Sequence, residues 1–191
     1  MAMPATQRRW TAREVRQLIA DTPLATPRYE LVDGELLVTP SPTALHQSAV
    51  GILLAALHAY LRKNSIGVAY TSPFDVELEP EALVRPDVFV VPMREARRLL
   101  TAMPARELLV AAEVMSPSSA RYDKVTKRAL FTRLVSEYWI VDVNARLFER
   151  WRQNDDRPEI LVEAVVWHPE GAAEPFILDL PGYFADVYLE R

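Results

Sequence analysis

The chain has 191 residues, with 22 Lys and Arg against 26 Asp and Glu, so its formal net charge at pH 7 is −4. Half of the residues are apolar, a composition that suits one folded domain with a sizeable core and excludes a disordered polymer. The sequence has no Cys and three His. This excludes a disulfide scaffold and a cysteine nucleophile, and any metal would be held mostly by carboxylates.

The N-terminal region contains no recognisable targeting signal. Residues 1–10 (MAMPATQRRW) lack the apolar segment of a signal peptide, so we expect a cytoplasmic protein. Thr11 and Glu14 then have the spacing of a capping box, which predicts a helix that Pro23 and Pro27 bring to an end.

A β-hairpin is expected next. Residues 28–39 read RYELVDGELLVT, in which Asp33-Gly34 separates two short apolar-rich runs. An Asp-Gly pair in this position is a strong local signal for a tight turn between antiparallel strands. We therefore predict strands at 28–32 and 35–39.

Residues 44–63, which follow Thr43, predict a long helix that is apolar around most of its circumference. Such a helix is buried against more than one neighbour. Pro40, Pro42 and several polar residues interrupt the same uncharged window, so we expect no membrane span and no membrane partner.

The rest of the chain predicts short elements without an internal repeat. The expected strands are 68–78, 84–91, 108–115, 137–143, 146–152, 160–167 and 176–178, and the expected helices are 93–101 and 121–134. Apart from the short helix at 93–101, the order from 44 to 143 is helix, three strands, helix, strand.

Two acidic residues lie inside otherwise apolar strand runs: Asp87 in VRPDVFVV and Glu113 in LLVAAEVM. Burying an unpaired carboxylate is costly, so each needs a partner or a purpose. If the two strands pair, side-chain alternation can bring the carboxylates together, and such a pair suits Mg²⁺ or Mn²⁺. In the ordinary alternatives, Asp87 binds backbone N–H groups where its strand begins, and Glu113 pairs with Arg85 or Arg121.

The helix after Glu113 supplies positive charge. Lys124 or Lys127 could offset developing charge or orient a nucleophile. Asp123 and Lys127 also have the i, i+4 spacing of an ordinary surface ion pair, and the whole face could simply be solvated. We take Arg121, Lys124 and Arg128 as candidate nucleic-acid-binding residues, because a local basic face suits a phosphate backbone.

Six ordered motifs resemble those of the Uma-type family, which consists of restriction-endonuclease-like proteins of the PD-(D/E)xK nuclease superfamily. They read RYELVDGELLVTPSPTALHQ, RPDVFVV, EVMSPSS, YDKVTKRALF, EYWIVD and LPG, from about Tyr29 to Tyr183. The resemblance implies an α+β fold with an α/β-like core. Its mixed central sheet has the order helix-strand-strand-strand-helix-strand, with the N-terminal helix and hairpin added, and this order agrees with that of residues 44–143.

The resemblance also implies catalytic roles. Asp87, in the Pro-Asp pair, and Glu113 would be catalytic residues and metal ligands. The superfamily carries a Lys two residues after this Glu, but here that residue is Met115, and Lys127 would stand in for it. Glu30 would complete the acidic site, unless it merely points outward from the hairpin.

Two further residues are expected near the cleft. His46 matches a His at the start of the long helix in the family and would line the cleft, although it could simply stabilise the helix start. Lys124 is the second lysine that could serve the site.

The main functional hypothesis is a Mg²⁺- or Mn²⁺-dependent endodeoxyribonuclease that hydrolyses phosphodiester bonds of DNA. The alternative is a catalytically inactive nuclease fold that acts as a nucleic-acid-binding or protein-binding accessory, which the missing ExK lysine favours. A metal-free sugar hydrolase with two carboxylates is a third class, and the basic helix counts against it.

We expect a single domain over residues 1–191, in which 28–143 form the nuclease-like core with its hairpin and 144–191 the C-terminal strands and an acidic segment. Residues 153–191 contain nine acidic and two basic residues. The acidic excess therefore lies outside the core and does not exclude DNA as a partner. A homodimer is expected, because two-fold symmetry gives an enzyme two sites for the two strands of a duplex.

Overall fold

The computed structural model describes residues 8–22, 27–80, 82–101, 103–116, 120 and 122–190. Its helices are α1 (Ala12–Asp21), α2 (Ala44–Asn64), α3 (Met93–Leu99), α4 (Arg128–Leu134) and α5 (Leu180–Val187), and a π-helical segment (Tyr122–Lys127) leads into α4. The strands are β1 (Arg28–Val32), β2 (Glu35–Thr39), β3 (Gly67–Thr71), β4 (Val76–Glu79), β5 (Ala82–Val84), β6 (Val88–Pro92), β7 (Val110–Val114), β8 (Glu137–Asp142), β9 (Leu147–Arg152), β10 (Glu159–Leu161), β11 (Ala164–Trp167) and β12 (Phe176–Asp179).

The N-terminal helix and hairpin form as the sequence predicts. The side chain of Thr11 accepts a hydrogen bond from the Glu14 backbone N–H, and the Glu14 carboxylate accepts one from the Thr11 backbone N–H, which completes the capping box. Strands β1 and β2 are antiparallel and have the predicted bounds. Asp33 and Gly34 both have positive φ, which is the requirement of the tightest hairpin turn.

The main sheet has six strands in the order β10-β9-β8-β7-β6-β3. Strands β7 and β8 are parallel, whereas the other neighbouring pairs are antiparallel, so the sheet is mixed as expected. The expected core order maps onto α2, then β3, β6 and β7, then α4, then β8.

Two segments that were each predicted as one continuous strand are each interrupted in the structure. The run 68–78 divides into β3 and β4, and the run 84–91 divides into β5 and β6. Pro73 and Pro86 lie in the two gaps, where a residue without an N–H costs no ladder hydrogen bond.

At these gaps the chain crosses between sheets. Strands β4 and β5 join the hairpin in a four-stranded sheet with the order β2-β1-β5-β4. The crossing from β5 to β6 places Asp87 between the two sheets.

Two further predicted elements differ from the structure, and one helix was not predicted. The run 160–167 is two strands, β10 and β11, and the helix expected at 121–134 begins as the π-helical segment. The sequence prediction missed α5, which is capped by the Asp179 carboxylate on the Gly182 N–H (2.7 Å) and has Pro181 in its first turn. Pro and Gly together made this segment resemble a loop.

The core lies on both faces of the main sheet. Helices α2 and α5 and the β11–β12 pair cover one face, and α3, α4 and the four-stranded sheet cover the other. By length and composition alone α2 could cross a membrane, yet Leu53, Leu57 and Leu61 on it are buried in this core.

Candidate active site

Strand pairing brings Asp87 and Glu113 together. Strands β6 and β7 pair with Val88 opposite Ala112 and Phe89 opposite Ala111. Continuing this register by one residue sets Asp87 opposite Glu113. The backbone N–H of Val114 donates to Asp87 Oδ2 at 2.9 Å, which fixes the carboxylate against β7.

Lys127 lies among carboxylates and not in solvent. Its Nζ is 2.9 Å from Glu113 Oε1, 2.9 Å from Glu30 Oε2 and 3.7 Å from Asp123 Oδ1. Its exposed fraction is 2%, and those of Glu30 and Glu113 are 0% and 1%. The alternatives of a solvated Lys127 and an outward-pointing Glu30 are therefore wrong.

The π-helical segment carries both Asp123 and Lys127 into the interior. The hydroxyl of Tyr138 on β8 donates to the Asp123 carbonyl oxygen at 3.1 Å and ties this turn to the main sheet. The Asp123–Lys127 pair has the predicted spacing, but it is buried and belongs to the site. Single π-helical turns inside helices are frequent at functional sites.

Asp87 is held from the opposite side by Arg28 and His46. Arg28 Nη1 lies 2.7 Å from Asp87 Oδ1 and donates to Ser72 Oγ at 3.1 Å. His46 Nε2 lies 3.0 Å from Asp87 Oδ2. His46 occupies the first turn of α2, where its backbone N–H is bound by the Thr43 hydroxyl, so it serves the helix start and the site together.

The environment shifts the pKa values of the two carboxyl groups in opposite directions. Burial would raise the pKa of Asp87, but the hydrogen bond from His46 and the charge of Arg28 outweigh it and hold that pKa well below its usual range. Burial raises the pKa of Glu113 well above its usual range. The charge of Lys127 lowers this pKa, but repulsion from Asp87 and Asp123 adds to the effect of burial.

The same cluster keeps Lys127 charged. Burial alone would lower the pKa of Lys127, but the surrounding carboxylates, Glu113 and Glu30 first, raise it above its usual value. The carboxylates of Glu30, Asp87, Glu113 and Asp123 thus face two permanent cations, Arg28 and Lys127. The cluster therefore contains more acidic than basic groups.

The donor set suits a divalent cation chemically. Two adjacent carboxyl groups, an excess of acidic over basic groups and burial are conditions under which a hard dication is favourable. Within the described ranges, no three acidic or histidine side chains already stand in a cation-ligating arrangement. Mg²⁺ is commonly held by one or two carboxylates, with water and substrate phosphates as its other ligands, so Asp87 and Glu113 fit that mode.

Comparison with protein families identifies the chain's relatives. A family model, Uma2, described as "Putative restriction endonuclease", matches residues 14–180. The chain belongs to the Uma2 family. A solved structure from Anabaena variabilis, described as a "putative nuclease belonging to DUF820", is similar with a TM-score of 0.71 and 19% identity. That match covers 88% of this chain and 96% of the other, and it shows the shared fold. Comparison with curated proteins gave no match.

In this Uma2 family member the two candidate lysines have different ion-pair partners. Lys127 occupies the acidic cluster, whereas Lys124 Nζ forms an ion pair with Glu149 on β9 and is 41% exposed at its side chain. The guanidinium of Arg128 lies 4.6 Å from the centroid of the Trp151 ring. Arg121 lies outside the described residues. The nucleic-acid-binding roles of these side chains stay predictions.

Sequence reasoning missed two residues of the cluster's ion-pair network, Arg28 and Asp123. Side chains two apart on a strand share a face, so Arg28 follows from Glu30 once Glu30 is placed in the site. Of the two partners suggested for Glu113, Arg85 was wrong, because its guanidinium pairs with Asp75 at 2.7 Å, and Arg121 lies outside the described residues. The Arg85 backbone N–H instead donates to Glu30 Oε1 at 2.7 Å.

Proposed function

We propose that this protein is a metal-dependent endonuclease that hydrolyses phosphodiester bonds of DNA. The proposal rests on one observation above all: Asp87 and Glu113 lie side by side in a buried cluster with more acidic than basic groups, and Lys127 is fixed against Glu113. Membership of a family described as restriction endonucleases supports the same reaction class.

Asp87 and Glu113 are the residues that would hold Mg²⁺ or Mn²⁺. When bound, such an ion lowers the pKa of a water molecule and offsets charge on the attacked phosphate. Lys127 acts through Glu113: its ammonium holds one carboxylate oxygen in place and keeps positive charge beside the reacting centre. Glu30 steadies Lys127, while its other oxygen is anchored on the Arg85 N–H.

One observation favours the alternative of a catalytically inactive accessory. Both oxygens of Asp87 are engaged by the chain itself, Oδ1 by Arg28 and Oδ2 by His46 and the Val114 N–H. A carboxylate satisfied in this way resembles a structural ion pair. A cleavage assay decides between the accessory and the enzyme.

A plasmid-cleavage assay tests the proposal. Wild-type protein is incubated with supercoiled DNA in Mg²⁺, in Mn²⁺ and in EDTA, with single-stranded DNA and RNA in parallel. We expect metal-dependent nicking that Glu113→Gln reduces by at least about a hundredfold, as for loss of one electrostatic catalytic group.

The matched control is Glu107→Gln, which neutralises a surface acid paired with Arg94 and should cleave as wild type does. Equal cleavage, or equal inactivity, of wild type, Asp87→Asn and Glu113→Gln would overturn the enzyme and leave the accessory role. The expected homodimer is a separate prediction that sedimentation equilibrium would test.

A further inference from the structure

A small cavity lies beside Asp87. Its volume is about 100 Å³, and its polar lining comes from Arg28, His46, Gln47, Thr71, Ser72 and Asp87. A single water molecule needs only about 10–15 Å³ of cavity volume measured in this way. The cavity therefore has room for a group larger than one water molecule.

The cavity wall carries a permanent cation, Arg28, and the hydroxyl groups of Thr71 and Ser72. The Arg28 and His46 side chains are 12% and 9% exposed. A largely desolvated guanidinium on the wall of a cavity favours an anionic ligand there.

The charges around Asp87 restrict what that ligand can be. Arg28 is permanently charged, and its Nη1 forms an ion pair with Asp87 Oδ1 at 2.7 Å. A dication on the Asp87 carboxylate would stand close to this guanidinium and repel it. Binding of the cation therefore requires that Arg28 find another anion within reach.

We propose that this cavity is a phosphodiester-binding pocket, in which Arg28 exchanges the Asp87 carboxylate for a phosphate oxygen when a divalent cation takes that carboxylate. The inference rests on the proposed function and deepens it, because it names the group that receives the substrate's backbone. The planar guanidinium fork matches phosphate geometry, and Ser72 Oγ accepts a hydrogen bond from Arg28 Nη1 at 3.1 Å, which orients the side chain beside the cavity.

Partner exchange makes cation and phosphate binding cooperative. In the absence of phosphate, the cation must displace Arg28 from Asp87 without compensation. In its presence, Arg28 moves onto the phosphate. Coupling of this kind is reciprocal and commonly amounts to about 5- to 150-fold in affinity.

Mn²⁺ binding measured by electron paramagnetic resonance, with and without dimethyl phosphate, tests the exchange without relying on cleavage. In wild type we expect dimethyl phosphate to tighten Mn²⁺ binding by at least about fivefold. In Arg28→Met we expect Mn²⁺ alone to bind at least about fivefold more tightly than in wild type, with no further effect of dimethyl phosphate.

Two variants guard the interpretation. Arg150→Met removes an equally buried guanidinium, 8% exposed and paired with Glu159, and should behave as wild type. Arg28→Lys keeps the charge, so it should fold even if Arg28→Met does not. It lacks the guanidinium fork, so dimethyl phosphate should tighten its Mn²⁺ binding much less than in wild type.

The outcomes separate the two claims. The exchange is overturned if Arg28→Met and Arg28→Lys bind Mn²⁺ as wild type does with the same dimethyl phosphate effect, whether or not wild type cleaves DNA. If wild type shows the coupling but cleaves no nucleic acid, the pocket stands and the endonuclease is lost. If wild type binds no Mn²⁺ that depends on Asp87, both are overturned.

Discussion

Replacing Lys127 by Met should strongly destabilise the protein, and the structure sets the magnitude. The substitution keeps most of the apolar stem and removes an ammonium that lies 2.9 Å from both Glu30 and Glu113. Those carboxylates are essentially unexposed, so water cannot solvate the charges left behind.

Removing one partner of a buried ion pair costs about 3–5 kcal/mol of the free energy of unfolding. For a chain of this length each kcal/mol lowers the melting temperature by about 2–4 °C. The expected decrease for Lys127→Met is therefore roughly 6–20 °C.

Lys124→Met is the matched control. It removes the same charge three residues earlier, from a partly exposed pair with Glu149. The Lys124 ammonium is partly solvated but Glu149 is buried, so the loss should cost about 1–2 kcal/mol, between the values for exposed and buried pairs, and lower the melting temperature by roughly 2–8 °C. Thermal unfolding of wild type and both variants, followed by circular dichroism in EDTA at pH 7, makes the comparison.

Equal and small shifts for the two lysines would refute the reasoning. They would mean that Lys127 is solvated in the folded protein and that the acidic cluster is not held together by its ammonium. A large shift for Lys124→Met alone would locate the essential ion pair at Glu149 instead.

Three further predictions concern the cluster and the fold. Glu113→Gln removes one of four crowded carboxylates, so it should stabilise the cation-free protein by about 0.5–2 kcal/mol and abolish any rise of melting temperature with Mg²⁺; destabilisation in EDTA would contradict this. Because the folded-state pKa of Asp87 is lowered from 3.8, its contribution to stability is present above that value and lost as pH falls. The difference in free energy of unfolding between wild type and Asp87→Asn, measured by urea titration, should therefore shrink below about pH 4. A difference that grows below that pH would contradict the lowered pKa of Asp87. Asp179→Ala removes the cap on the Gly182 N–H and should cost about 0.5–2 kcal/mol by the same titration, whereas an unchanged midpoint would show that α5 needs no cap.

The local elements were predictable because their signals are local. The Thr11–Glu14 box and the Asp33-Gly34 turn each satisfy backbone groups within a few residues, and both appear in the structure as expected. The division of the runs around Pro73 and Pro86 was not predictable, because the choice between two sheets depends on long-range packing.

Part of the site was predictable from the sequence, whereas Arg28 and Asp123 were not. Asp87 and Glu113 are conspicuous as single acids in apolar strands, and the pairing of β6 and β7 brings them together. Arg28 escaped notice because a basic residue at the start of a hairpin strand is usually solvated. Asp123 was read as a surface partner of Lys127, since the spacing is visible in the sequence and the burial of the π-helical turn is not.

The central claim is that Asp87 and Glu113 together hold the catalytic cation, and a crystal structure after soaking in Mn²⁺ tests it most directly. We expect an anomalous peak within about 2.0–2.6 Å of a carboxylate oxygen from each residue, with Lys127 still bound to Glu113. The claim would be contradicted if, at saturating Mn²⁺, no ion lies between the two carboxylates and Arg28 and His46 still contact Asp87 in a well-ordered site.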